Sequence, residues 1–416
     1  MRRLGLLAAL CALVITGLLS GAQADAKVAP TLATVGVDHA TPSGHNFEYT
    51  DFFPRDHIRI HSGESVQFAW ANNPDGFHTA TVLKTGESAE QAWISVYPAI
   101  EPDTSDPAGT LQFSRFATFP SFPPVGSGAP GACGDVGTPC PYDGSSDINS
   151  GASPTNGTNT FTVRFDVPAG RTVLFVCLVH QGMHGAISVV DADAAASTPA
   201  QLSKRAAAQA HTDTAGAFAA ERDATRVARS EDDEQAAAAA TANNNGISNA
   251  VGGERHGGPP VHREGEKSVT LVAGTASDHV EVAEMLPQDV QIERGTTVRW
   301  LTRTRADPHT VTFPDGGHQG ETFPLLCETA SGDVPTEPGP PCGGDFSKFE
   351  IGYEPAAAGP TDITTTTTFA TSGVIATLAV WHPLGTTTQF SFPESGTFTY
   401  QCKVHDHMIG SVHVKD

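Results

Sequence analysis

Two segments of the chain carry the same seven-residue pattern. Cys177-Leu178-Val179-His180-Gln181-Gly182-Met183 and Cys402-Lys403-Val404-His405-Asp406-His407-Met408 both read C-x-x-H-x-x-M. Far upstream of each stands another histidine, in the pairs His78-Thr79 and His309-Thr310. Each half therefore offers one thiolate, two imidazoles and one thioether. A thiolate and two imidazoles form a trigonal plane, and a weak axial thioether tunes the potential, which is a donor set for copper. The sulfur ligands favour Cu(I) while the imidazoles suit Cu(II), so little has to rearrange when one electron arrives. Structural zinc asks for four Cys or His ligands and no methionine. The chain has only 4 methionines, and two of them occupy this position.

These donors need elements to hold them. A tight turn between two strands can fold Cys, His and Met around one ion, and an adjacent strand must bring the upstream histidine. The sequence supplies both, twice. His57-Ile58-Arg59-Ile60-His61-Ser62-Gly63-Glu64-Ser65-Val66-Gln67-Phe68 parallels Asp289-Val290-Gln291-Ile292-Glu293-Arg294-Gly295-Thr296-Thr297-Val298-Arg299-Trp300. Each alternates apolar and polar residues, breaks at a glycine and resumes, which predicts two half-buried strands around a turn. Phe165, Pro168, Phe175 and Cys177 match Phe390, Pro393, Tyr400 and Cys402 without gaps, and a closing strand follows Gly185 and Gly410. The chain is an internal duplication.

On these motifs the chain resembles the cupredoxins, the small blue copper proteins, and its ligand-loop spacing is most similar to that of amicyanin. The aromatic two residues before each cysteine and the glycine after each methionine also resemble the family. The resemblance covers the core strands and ligand loops of both halves, but not the long insertions or the spacer. It implies an all-β fold of two Greek-key β-sandwiches. It also implies two type 1 copper ions, one held by His78, Cys177, His180 and Met183 and one by His309, Cys402, His405 and Met408. The function expected is single-electron transfer with a redox partner protein as donor and acceptor. A copper-holding protein, or an extracellular scaffold whose folds are mainly structural, is the alternative.

Oxidases and nitrite reductases of this fold need further copper held by additional histidines. The chain has one H-x-H, His405-Asp406-His407, inside a ligand loop, and no histidine adjoins Cys177 or Cys402. With no type 2 or trinuclear ligand pattern, the expectation is a protein that is not an enzyme. His57, His61, His184 and His407 read as surface residues, His256 and His262 as linker, and Trp381-His382 as packing.

The remaining features bound compartment and organisation. Arg2-Arg3, an apolar run from Leu4 to Leu19 and Ala22-Gln23-Ala24 read as a signal peptide over residues 1–24, so export to a periplasmic or extracellular space is expected. No later segment is long and apolar enough to span a membrane. Of 7 cysteines, Cys11 leaves with the signal. The close pairs Cys133/Cys140 and Cys327/Cys342 are expected as disulfides, each in a long insertion, 88–160 or 316–388. That leaves Cys177 and Cys402 as thiols. The net charge of −22 argues against nucleic acid and favours basic protein partners. Domain one is placed at 25–192, a linker at 193–266 and domain two at 267–416. The linker is rich in alanine with few large apolar residues (Leu202, Phe218, Val227), so it reads as a partly helical or disordered spacer with little to bury. The oligomeric state is left open.

Overall fold

The computed structural model describes residues 32–71, 78–96, 101–102, 111–113, 133–151, 159–228, 261–262, 268–314, 326–327, 349–351, 361–368, 370–378, 385–402, 404–405 and 407–416. The signal-peptide segment, Trp381-His382 and the Cys327/Cys342 pairing lie outside the described side chains.

Each half is a sandwich of two sheets. In the first, one sheet orders Phe52–Phe53, Leu32–Val37, Ser65–Trp70, Thr160–Phe165 and Cys140–Tyr142. Its mate orders Ile148–Asn149, Thr81–Val82, Arg171–Val176, His184–Val190 and Ile58–His61. The alternation read from the sequence decides which side chains meet between them: Val35, Ile58, Phe68, Phe165, Phe175 and Ile187 are all fully buried. The second half repeats the plan around Trp300, Phe313, Phe390, Phe392 and Tyr400, whose rings meet edge-on or tilted with centroids 5.1–6.0 Å apart. The all-β expectation holds in both halves.

The glycines and aromatics flanking the ligand loops have a packing reason. A Cβ on Gly185 would meet the Phe175 ring at 2.3 Å, and one on Gly410 would meet the Tyr400 ring at 2.5 Å. The far end of the aromatic ring two residues before the cysteine occupies the space a side chain would need at that glycine, so the two strands of the ligand loop pack closely.

The halves are not independent. The short strand Phe47–Tyr49, which follows Leu32–Val37 in the chain, joins the second half's sheet by pairing antiparallel with Val280–Leu286, so that Glu48 stands opposite Glu281. The linker is partly helical, as expected, but it buries far more than a spacer would. Thr198 caps a 29-residue helix, Pro199–Val227, through a capping box with Gln201. Its buried face is Leu202, Ala210, Asp213, Ala217, Glu221, Ala224 and Val227. Ala210, Ala217 and Ala224 join one buried cluster with Phe47, Tyr49 and Phe53 from the N-terminal part of the chain and Val272, Val280, Val282 and Leu286 from the second half. A helix presenting small side chains can approach sheets closely, so a scarcity of large apolar residues did not mean a scarcity of burial. Residues beyond 228 in the linker lie outside the description, apart from the strand Val261–His262.

The insertions contribute the helix Ala89–Val96 and the disulfide Cys133–Cys140, with an S–S distance of 2.01 Å. They also meet one another: Glu101–Pro102 and Leu111–Phe113 share a sheet with Leu326–Cys327 and Phe349–Ile351.

Candidate metal centres

In the first half, Cys177 ends the strand Arg171–Val176, and the loop returns at once into His184–Val190. The turn is closed by Cys177 N–H donating to the Met183 carbonyl at 2.9 Å and Met183 N–H donating to the His180 carbonyl at 3.2 Å. Gly182 takes φ 103° within it, a region that suits glycine. Thr79 locks the upstream segment to this loop: its backbone N–H donates to Cys177 Sγ at 3.4 Å, and its hydroxyl accepts from Leu178 N–H at 2.8 Å. His78 is thereby brought beside the loop. The second half repeats the arrangement, with Cys402 N–H to the Met408 carbonyl at 2.8 Å and Thr310 N–H to Cys402 Sγ at 3.4 Å.

The donor atoms converge. His78 Nδ1 and His180 Nδ1 lie 3.9 and 3.6 Å from Cys177 Sγ and 2.9 Å from each other. His309 Nδ1 and His405 Nδ1 lie 3.7 and 3.8 Å from Cys402 Sγ. Such separations are edges of a coordination polyhedron with bonds of about 2.0–2.3 Å. Met183 and Met408 are buried at 1% exposure in the same cores as their cysteines. Burial pushes the Cys177 thiol up, but the hydrogen bonds and charge of His180 and His78 outweigh it and hold the thiol well below its ordinary value. His309 and His405 do the same for Cys402. A buried thiolate between two inward-facing Nδ1 atoms fits copper. The structure therefore brings together His78, Cys177 and His180, and likewise His309, Cys402 and His405, with each methionine closing its loop.

The outer faces of these rings were not anticipated. His180 Nε2 lies 3.2 Å from Asp307 Oδ1 and 3.5 Å from Glu48 Oε1. His405 Nε2 lies 3.6 Å from Glu48 Oε2 and 3.8 Å from Asp307 Oδ2. His78 Nε2 is 3.6 Å from Glu48 Oε1. Two buried carboxylates thus stand between the two cages and touch histidines of both. Carboxylates that accept from the outer N–H of a ligating histidine fix its tautomer and orientation. Burial opposes ionisation of Asp307, yet its contacts with His180 and His405 hold it well below the usual carboxylate range. Glu281 braces the loop that presents Asp307, accepting from Arg305 N–H at 2.9 Å and Ala306 N–H at 2.6 Å.

The cages differ at one position. Gly274, at φ 75°, lies where a Cβ would meet His309 Nε2 at 2.2 Å. The register of the first strand against Ser65–Trp70 places Asp38, at φ 67°, in the matching position of the first half. His57, His184 and His407 are exposed, as expected, and His61 is half-buried.

A signal for Glu48 and Glu281 exists in the sequence. Phe47-Glu48-Tyr49-Thr50-Asp51-Phe52-Phe53-Pro54 parallels Val280-Glu281-Val282-Ala283-Glu284-Met285-Leu286-Pro287. This is a second repeated block, ahead of the one used above. Asp307 leaves no such trace.

No protein-family model matches the chain, and no curated protein matches it. Solved structures resemble it at low identity. Reduced auracyanin from Roseiflexus castenholzii is 15% identical, covering 39% of this chain and 99% of its own at a TM-score of 0.20. Auracyanin A from Chloroflexus aurantiacus, described as a blue copper protein, is 20% identical with 39% and 99% covered and a TM-score of 0.21. A copper-containing nitrite reductase from Thermus scotoductus is 12% identical, with 93% of this chain and 68% of its own covered and a TM-score of 0.17.

The expectation that the chain is not an enzyme is corrected here. The nitrite reductase and multicopper oxidases that align with 92–93% of this chain are enzymes. That expectation rested on local spacing, namely H-x-H pairs and a histidine beside the cysteine. Donors assembled from distant segments leave no spacing to find. Glu48, Asp307 and His405 form such a buried group, with ligand atoms within 4.8 Å of one another. The missing motifs therefore do not separate this chain from copper enzymes.

Proposed function

We propose that the chain is an exported protein that holds two type 1 copper ions and moves single electrons, with a redox partner protein as donor or acceptor. The observation that carries this reading is the pair of buried His–Cys–His sets, each with a methionine-closed loop and each turned toward the same two carboxylates. His78, Cys177, His180 and Met183 would hold one ion, and His309, Cys402, His405 and Met408 the other. Bound copper supplies the one-electron couple. The protein supplies a thiolate stabilised by two imidazoles, a dry cage and a loop locked by backbone hydrogen bonds, so the donors keep their places in both redox states. Asp307 and Glu48 orient the imidazoles of both cages from the outside. The apolar N-terminal run supports export, and the acidic charge favours a basic partner.

The test is copper loading of the mature protein with a visible spectrum. Two equivalents and intense thiolate-to-copper absorption are expected, with Cys177→Ser and Cys402→Ser each removing about half of the colour. A fully loaded protein that stays colourless when oxidised would end this reading.

A further inference from the structure

A third group of donors lies away from both cages, where the linker helix meets the second half. His45 Nδ1 is 3.4 Å from Glu221 Oε2 and 3.6 Å from Glu284 Oε1. All three donor atoms lie within 4.8 Å of one another. The residues come from three separate segments: the turn before Phe47–Tyr49, the helix Pro199–Val227 and the strand Val280–Leu286. Each is held in place. The His45 ring packs against Phe47 and edge-on against Phe218, with centroids 5.0 and 4.8 Å away, and Asn46 N–H donates to Glu284 Oε1 at 2.8 Å.

The 3.4 and 3.6 Å separations match donors sharing one tetrahedral ion with bonds of about 2.0–2.2 Å, which sit roughly 3.3–3.6 Å apart. They equally suit a His–carboxylate ion pair such as His279–Asp51 at 3.6 Å, so the argument rests on the convergence of three donors from three segments. Burial pushes the Glu221 carboxyl up to about 7, with Glu284 adding to the rise and His45 and Arg222 offsetting only part of it.

The duplication provides an internal comparison. Aligning Phe47–Pro54 on Val280–Pro287 places Asp51 opposite Glu284 and Arg55 opposite Gln288. The backbone agrees: Ala186 N–H donates to the Arg55 carbonyl and Ser411 N–H to the Gln288 carbonyl, both at 2.9 Å. Around Asp51 the fold gathers Asp213 from the same helix, His279 at 3.6 Å, Gln209 at 2.8 Å and the Arg55 guanidinium in direct contact. That cluster carries its own cation on the chain. At the matching position of the second half the residue is Gln288, which has no charge.

We propose that His45, Glu221 and Glu284 form a binding site for one divalent cation of the zinc class, filling the place that Arg55 fills in the first half. One imidazole and two carboxylates are a common zinc donor set that leaves a fourth position open. The side chains of His45 and Glu284 are 11% and 18% exposed, so the ion can reach the site from solvent, while Glu221 is fully buried. Such an ion would join the linker helix to the second half and to the turn that leads into Glu48.

The test uses the full-length mature chain with copper already bound, and separately the Cys177→Ser/Cys402→Ser chain, so that the outcome does not depend on the copper reading. Zinc is added and dialysed, and bound metal is counted. One zinc per chain is expected in both preparations, with a higher melting temperature. Glu221→Gln and Glu284→Gln should each weaken zinc binding by more than the roughly 10–100-fold that outer-shell changes cost. Melting curves without zinc verify that each variant is folded, and Glu221→Gln should melt no lower than the parent because a buried carboxylate is lost. Absence of a bound zinc, or a zinc that both variants retain at parental affinity, would overturn the proposal.

Discussion

At the scale of single residues, the proposed function turns on what touches the outer nitrogens of the histidines in the two donor sets. Asp307 reaches His180 of one half and His405 of the other, at 3.2 and 3.8 Å. On the proposal that each cage holds copper, a negative charge placed there would stabilise the oxidised, more positive form of both centres. At an effective dielectric of about 20 and about 6–8 Å across the imidazole to a bound ion, removing a unit charge is worth on the order of 2–3 kcal/mol, or roughly 90–130 mV for one electron. Asp307→Asn should therefore raise both reduction potentials by that order, as read by redox titration of the visible band. A shift confined to one centre would show that the carboxylate serves one cage alone. The cage ligands were legible in the sequence because Cys, His and Met sit within seven residues of each other and the whole motif occurs twice. Asp307 was not, and Glu48 only through the repeated block that contains it, because their histidine partners come from other segments and only the folded chain sets them face to face.

At the scale of elements, the helix Pro199–Val227 was expected in the linker, but its burial was not. Its sequence has few large apolar residues, and apolar content is what a reading by periodicity weighs. The fold instead uses alanine at close approach: Ala217 is fully buried among strands of both halves. Enlarging it should cost about 1–3 kcal/mol through overpacking. Ala217→Leu is expected to lower the melting temperature clearly, whereas Ala219→Leu on the exposed face should stay within about 0.5 kcal/mol of the parent. Equal effects of the two would mean that the helix does not bear on the halves. The strands, by contrast, were readable, since alternation about Gly63 and Gly295 maps directly onto their buried and exposed faces.

At the scale of the whole molecule, the junction between the halves carries acidic groups held away from their ordinary ionisation. Burial pushes Asp51 up to about 7 although Arg55 opposes it, and burial pushes Asp213 up to about 6. In the unfolded chain both would titrate near 3.8. The folded state therefore binds more protons between these limits, so their contribution is full below about pH 4 and is lost as pH rises through 6 to 7. His279, held down to about 4 by burial and then by Arg55, acts in the opposite sense between about 4 and 6.5. Comparing Asp51→Asn with the parent isolates the first effect. The variant should gain in relative stability between pH 5 and pH 8, measured by melting temperature. A difference that does not vary with pH would place the Asp51 shift elsewhere.

The strand Phe47–Tyr49 sits early in the chain yet completes the later sheet, and it carries Glu48 with it. A gene cut within the linker would yield a C-terminal fragment whose Val280–Leu286 edge has lost its neighbour, and bare edges recruit other chains. The same cut would strip His405 of a carboxylate that only the N-terminal fragment encodes. Duplication usually leaves modules that can be exchanged or trimmed one at a time. Here a single short strand, lent by the first copy to the sheet of the second, ties the two copies together.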